Sequence, residues 1–141
     1  MTARKTTKRT SPRTPPAHPP TLPGLGELEA AIMEVVWHTD DAMRVRDVLD
    51  KLDSARQPAY TTVMTVMDNL YRKGWLSREL DGRAYSYRAT RDRLQAATDA
   101  LRELLADSGD PAAALLHFAR SATTAESRAL TRGLKERGRR R

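Results

Sequence analysis

Thr61, Thr62, Thr65 and Asn69 fall on one side of a helical projection at about 100° per residue, with Asp68 and Arg72 at its edge. Their chemistry is hydrogen bonding to base edges. A threonine hydroxyl donates or accepts while its methyl packs on the methyl of thymine, and an asparagine amide pairs with adenine where it lies deep enough in a groove. Arg72 and Lys73, at the far end of the same stretch, suit phosphate oxygens, which position a protein on a duplex without specifying sequence. Arg83 and Tyr85, further on, could touch backbone or minor groove. Tyr60 opens the stretch and joins the candidate set, although Tyr60 and Tyr87 also fit a core, the commoner place for an aromatic beside a strand. Each threonine would equally suit an ordinary solvent-facing helix, so the neighbouring elements must decide.

Those elements favour the base-reading interpretation. Val63, Val66, Met67 and Leu70 form the opposite, apolar face, and Gly74 ends the helix. Trp75 to Leu80 and Arg83 to Ala89 read as short strands, with Asp81-Gly82 between them as a two-residue pair suited to a type I′ turn. Upstream, Leu25, Leu28, Ile32, Val35, Val36 and Trp37 mark a first amphipathic helix of about three turns. Thr39-Asp40-Asp41 breaks it, and Val45, Val48, Leu49 and Leu52 define a second helix starting near Arg44, a residue that offers no side-chain acceptor for the cap. Residues 54 to 58 form the turn before the third helix, and Pro58 disfavours helix at Gln57. Three helices and a hairpin predict a winged helix-turn-helix domain over residues 24–90, in a chain that is mainly α with a small β-hairpin wing.

The remaining third predicts a helical dimerisation region over residues 91–136. Leu94, Ala97, Leu101, Leu104 and Leu105 share a face. Asp110-Pro111 supplies an N-cap and a first-turn proline for a second helix with Leu115, Leu116, Phe118 and Ala119. Thr123 and Glu126 have capping-box spacing and open a last helix with Leu130 and Leu134. Sparse leucines that follow a domain with its own core need an apolar partner. A second copy of the chain is the simplest one; packing back on the winged helix is the alternative.

Charge is unevenly placed. The chain is net +7, but residues 1–23 hold Arg4, Lys5, Lys8, Arg9 and Arg13 with no acid, and residues 132–141 hold six cations against Glu136. Each end is +5, so residues 24–131 are net −3, and within them residues 58–93 are locally +3. Six prolines in residues 1–23 predict a disordered basic tail, and residues 137–141 a second basic tail; both could hold phosphates or simply be solvated.

Several function classes lose support. The 141 residues contain no Cys, which excludes disulfides and thiolate chemistry, and His18, His38 and His117 lack metal-ligand spacing, so neither metal nor cofactor is expected. No apolar run approaches the ~20 residues that cross a bilayer, so a cytoplasmic protein without membrane insertion is expected. Nothing resembles a nucleophile with a paired base or a phosphate-binding glycine loop, so an enzyme is not expected.

The segments Leu28 to Trp37, Tyr60 to Val66, Leu70 to Gly74 and Arg83 to Ala89, in this order, resemble the BlaI/MecI family of penicillinase repressors, especially its actinobacterial members. The similarity runs from about Leu25 to Leu134. It implies a homodimeric winged-helix repressor that binds a double-stranded operator with inverted-repeat halves, often TACA and TGTA. It also implies release after a membrane-bound sensor metalloprotease is triggered, with cleavage in the dimerisation region. Where cleaved relatives join Asn to Phe, this chain has His117 and Phe118. The cysteine cluster of copper-sensing relatives is missing. Two other readings compete: a small-molecule-responsive winged-helix regulator, and a helical protein-interaction module. Only Phe118 is aromatic after the wing, which argues against a sizeable ligand pocket there, and a pure interaction module leaves Thr61, Thr65 and Arg83 without a role.

Overall fold

Helix α1 (Glu27–Trp37) buries Ala30, Ile32, Met33 and Val36 against α2 (Val45–Lys51) and α3 (Tyr60–Arg72) in a computed structural model that describes residues 21–53 and 58–139. Most of the N-terminal tail, residues 54–57 of the expected turn and the last two residues of the C-terminal tail lie outside the described residues. Strands β1 (Leu76–Asp81) and β2 (Ala84–Ala89) pair antiparallel from Leu76 with Ala89 to Asp81 with Ala84. The core joins Ile32, Met33 and Val36 to Met43, Val45, Val48, Leu52, Val63, Met67, Leu70, Leu76 and Tyr87. Helix, helix, helix, hairpin is the winged helix that the sequence predicts.

Local signals explain most boundaries. Gly26 has no side chain to cap α1, and its N–H donates instead to Glu29 Oε1 at 2.8 Å. Arg44 likewise lacks a capping oxygen, but the missing cap is partly replaced from inside the helix, because Asp47 Oδ2 accepts from the Arg44 N–H at 3.0 Å. α3 ends in a Schellman motif: Trp75 N–H reaches Leu70 O at 2.9 Å, Gly74 N–H reaches Tyr71 O at 3.1 Å, and Gly74 takes the left-handed φ of 84° that the motif requires.

The wing departs from its expected turn. The strands start and end one residue later than their spacing suggests, so the two-residue loop is Gly82-Arg83 rather than Asp81-Gly82. Gly82 has φ 66° and Arg83 has a negative φ, the pattern of a type II′ turn; type I′ needs both positive. Glycine therefore stands first in the loop, and Arg83 is carried to its tip. Met43 adds a single bridge to β2, its N–H and C=O bonded to Tyr87 O and N at 2.9 and 2.8 Å. It is an apolar residue in a connecting loop, which periodicity does not mark.

Helices α4 (Arg93–Asp107), α5 (Pro111–Ser121) and α6 (Thr124–Arg139) follow. Asp92 and Gln95 form a reciprocal capping box, Asp110 accepts from Ala113 N–H, and Thr123 accepts from Glu126 N–H. α4 is tied to the winged helix at its start only: Trp37 Nε1 donates to Arg91 O at 3.0 Å, Arg93 pairs with Glu34, and Ala96 is its sole buried residue. No residue of α5 or α6 is buried. Leu94, Leu101, Leu104, Leu115, Leu116, Phe118, Leu130 and Leu134 are 47–79% exposed and Leu105 is half-buried, so these helices do not fold back onto the winged helix.

Candidate nucleic-acid interface

Thr61, Thr62, Thr65, Asn69 and Arg72 are exposed on α3 while Val63, Met67 and Leu70 on its opposite side are fully buried. Burial of one face thus fixes which face is offered to solvent. The Thr65 hydroxyl donates to Thr61 O at 2.9 Å, which leaves its methyl and its acceptor lone pairs outward. Tyr60, the first residue of the helix, is 46% exposed at the end where a recognition helix meets base edges.

Asp68, a carboxylate on a surface meant for phosphates, is neutralised by two arginines. Arg72 Nε lies 3.1 Å from one oxygen and Arg78 Nη1 2.8 Å from the other. The Arg78 guanidinium also stacks 4.0 Å from the Tyr71 ring centroid and 4.2 Å from that of Tyr85. One side chain therefore joins the end of α3 to the wing. Partial desolvation pushes its pKa down, but hydrogen bonds to Asp68 and Tyr87 outweigh this and raise it. The sequence reading passed over Arg78, whose only signal is its inward position on a strand opposite Tyr87.

Arg78→Ala is expected to destabilise the fold by about 1–2 kcal/mol in urea unfolding, through loss of two ring contacts and one ion pair. Arg78→Lys would restore only part, because an ammonium cannot stack as a guanidinium plane does. Full stability in Arg78→Ala would show that the wing is held by its strands alone.

Lys73 departs from its expected phosphate role. Its ammonium donates to Gly24 O at 2.7 Å and to both Glu29 oxygens at 2.9 and 3.0 Å, so it ties α3 to the start of α1. Partial burial pushes the Glu29 carboxyl up, but the Gly26 N–H and the Lys73 ammonium outweigh it and hold it below the usual carboxylate range. A lowered folded-state pKa stabilises above the ordinary value of about 4.3, and the contribution is lost as pH falls through the folded value. Glu29→Gln should therefore melt a few degrees below the parent at pH 7 and converge with it near pH 3; a gap that persists in acid would assign the effect to packing.

Tyr85 is partly exposed, with its ring between Arg78 and the buried Tyr87. Among the seven cations of residues 58–93, the partners are Asp68 for Arg72 and Arg78, Glu29 for Lys73, Asp40 O for Arg88, Asp99 for Arg91 and Glu34 for Arg93. Arg83, exposed at the wing tip, is the one left without a partner among the described residues. The structure thus separates cations that hold the fold from one that is free to meet an anion.

The Penicillinase repressor family model matches residues 25–136. The chain belongs to the penicillinase repressor family. A family member described as "Transcriptional regulator BlaI", from Mycobacterium tuberculosis, is 37% identical over 118 residues, covering 82% of this chain and 86% of the relative. Among solved structures, the solution structure of the DNA binding domain of the repressor BlaI is 23% identical with a TM-score of 0.45, covering 52% of this family member and 88% of that chain. MepR, a transcription regulator of the Staphylococcus aureus multidrug efflux pump MepA, is 15% identical with a TM-score of 0.44, covering 80% and 77%. Among the described residues no group of three or more His, Cys, Asp or Glu could hold a metal, and no helix is long and apolar enough to cross a membrane.

Proposed function

We propose that this member of the penicillinase repressor family is a transcriptional repressor that binds an inverted-repeat operator as a homodimer, through a winged-helix unit over residues 24–90 and a dimerisation region over residues 91–136. The observation that carries the reading is the exposed Thr61, Thr62, Thr65, Asn69 face of α3 beside the unpaired Arg83. Two such faces one DNA turn apart, roughly 34 Å, would read two half-sites. The uncovered leucines of α4 to α6 support a second copy as partner. The reading assigns no catalytic step and no cofactor, and places the protein in the cytoplasm with its DNA.

Release by a sensor metalloprotease is part of the proposal, with His117-Phe118 as the bond. Both residues are exposed within α5, and that helix must open locally before a protease can take the backbone as an extended strand.

The test is a footprint on genomic fragments, including the region upstream of its own gene, with competitor DNA at near-physiological salt. A protected inverted repeat with centres about one turn apart supports the reading; uniform, salt-sensitive binding overturns it. On the operator so found, Thr65→Ala should cost about 1–3 kcal/mol on the cognate sequence and little on random DNA. Arg83→Ala should weaken both about equally and lower the salt slope by about 1. An equal loss on random DNA from Thr65→Ala would remove Thr65 from the base-reading set.

A further inference from the structure

Helix α6 carries a second cationic surface that the operator-reading site does not use. Arg128, Arg132, Lys135 and Arg139 recur at helical spacing along one side, four residues and three residues apart, so they form a single stripe. Leu130 and Leu134 lie on the opposite side of the same helix. Covering the leucines with a second copy therefore leaves the stripe facing outward.

The arrangement is not accounted for by the needs of the helix. Only Arg132 has an anionic partner, Glu136 at 2.9 Å; Arg128, Lys135 and Arg139 have none among the described residues. The other acid of the helix, Glu126, belongs to the cap with Thr123 on another side. Compensation of the helix dipole explains a cation in the last turn but not Arg128 or Arg132, which lie outside it. Three like-charge neighbours, Arg128 with Arg132, Arg132 with Lys135 and Lys135 with Arg139, each cost the isolated helix stability, and a polyanion laid along the stripe would relieve all three. Solubility alone is served by mixed charges rather than by one sign sorted onto one line.

We infer that the α6 stripe is an accessory binding surface for the phosphate backbone of duplex DNA, separate from the α3 and wing surface that reads the operator. Flexible guanidinium and ammonium groups at regular spacing along about 16 Å of helix suit a linear polyanion, which carries one charge per about 1.7 Å of duplex axis. Base reading is not required of it, since Arg and Lys heads meet phosphates without sequence preference. The inference rests on the reading of the chain as a DNA-binding repressor, in which the duplex is the polyanion already at hand.

The experiment is a salt titration of the full chain on a random-sequence 30-base-pair duplex, with footprinting of the operator in parallel. The variant Arg128→Gln, Arg132→Gln, Lys135→Gln, Arg139→Gln keeps good helix formers and is checked for dimer mass by sedimentation and for helix content by circular dichroism. The slope of log affinity against log salt is expected to become shallower by about 3 on the random duplex, for three or so phosphates released, while the protected operator positions stay the same. A charge-keeping variant, Arg128→Lys, Arg132→Lys, Arg139→Lys, should recover the parental slope, which tests the charge even if the glutamine variant misfolds. An unchanged slope in a folded glutamine variant, or no recovery with lysine, overturns the inference and leaves the stripe to an acidic protein or to solvent. Absence of any protected repeat with the parent chain would instead remove the repressor reading on which it stands.

Discussion

Leu101→Glu is expected to yield a monomer in sedimentation and to lower affinity for a two-half-site operator by about 100-fold or more. Leu101 is 54% exposed on the same side of α4 as Leu94 and Leu104, themselves 79% and 65% exposed, and no part of the described chain covers them. A carboxylate there would have to be desolvated against an apolar partner surface, which costs several kcal/mol for an unpaired charge. Operator affinity falls with it because the second half-site is then no longer reached at the high effective concentration that linkage provides, an advantage of about 10²–10⁴. Helix content and the winged-helix fold should be unaffected, since Leu101 takes no part in that core. Retention of a dimer would move the interface to α5 and α6.

Leu70→Ala has the largest expected effect on stability. Leu70 is fully buried near the end of α3, and its carbonyl accepts the Trp75 N–H that closes the Schellman motif into β1. Removing a buried leucine side chain costs about 2–5 kcal/mol, and domains of this kind are stable by about 5–15 kcal/mol in all. The variant should bind the operator at low temperature and lose binding well below the parental melting temperature, because the base-reading face is intact while the helix that carries it is not. Parental thermal stability would show that the α3–wing junction is supported mainly from the α1 side.

The same two helices show how far residue pattern alone reaches. On α3, the spacing of Val63, Met67 and Leu70 left no choice about which face is buried, and so Thr61, Thr65 and Asn69 were legible as the outward face. Gly74, Asp110-Pro111 and Thr123 with Glu126 marked helix ends because the backbone groups at those ends have few other partners. The glycine of the wing was legible too, but its place within the turn was not. A one-residue shift in pairing changes the turn from type I′ to type II′, and only the register against β2 decides it.

Side-chain partnerships that cross elements were the other hidden part. Nothing in a row of residues separates Lys73, tied to Glu29 44 residues away, from Arg83, which has no partner among the described residues. Arg78 between Tyr71 and Tyr85 and Met43 against Tyr87 are likewise products of elements brought together from distant positions. By itself, then, the sequence determined the helices, their caps, the amphipathic face offered for base contact and the winged-helix class, because periodicity and capping are local properties of the backbone. Tertiary structure alone decided the wing register, which cations brace the fold and which is free, and that α4 to α6 leave their leucines uncovered, because ion pairing and burial depend on distances between segments that no local pattern encodes.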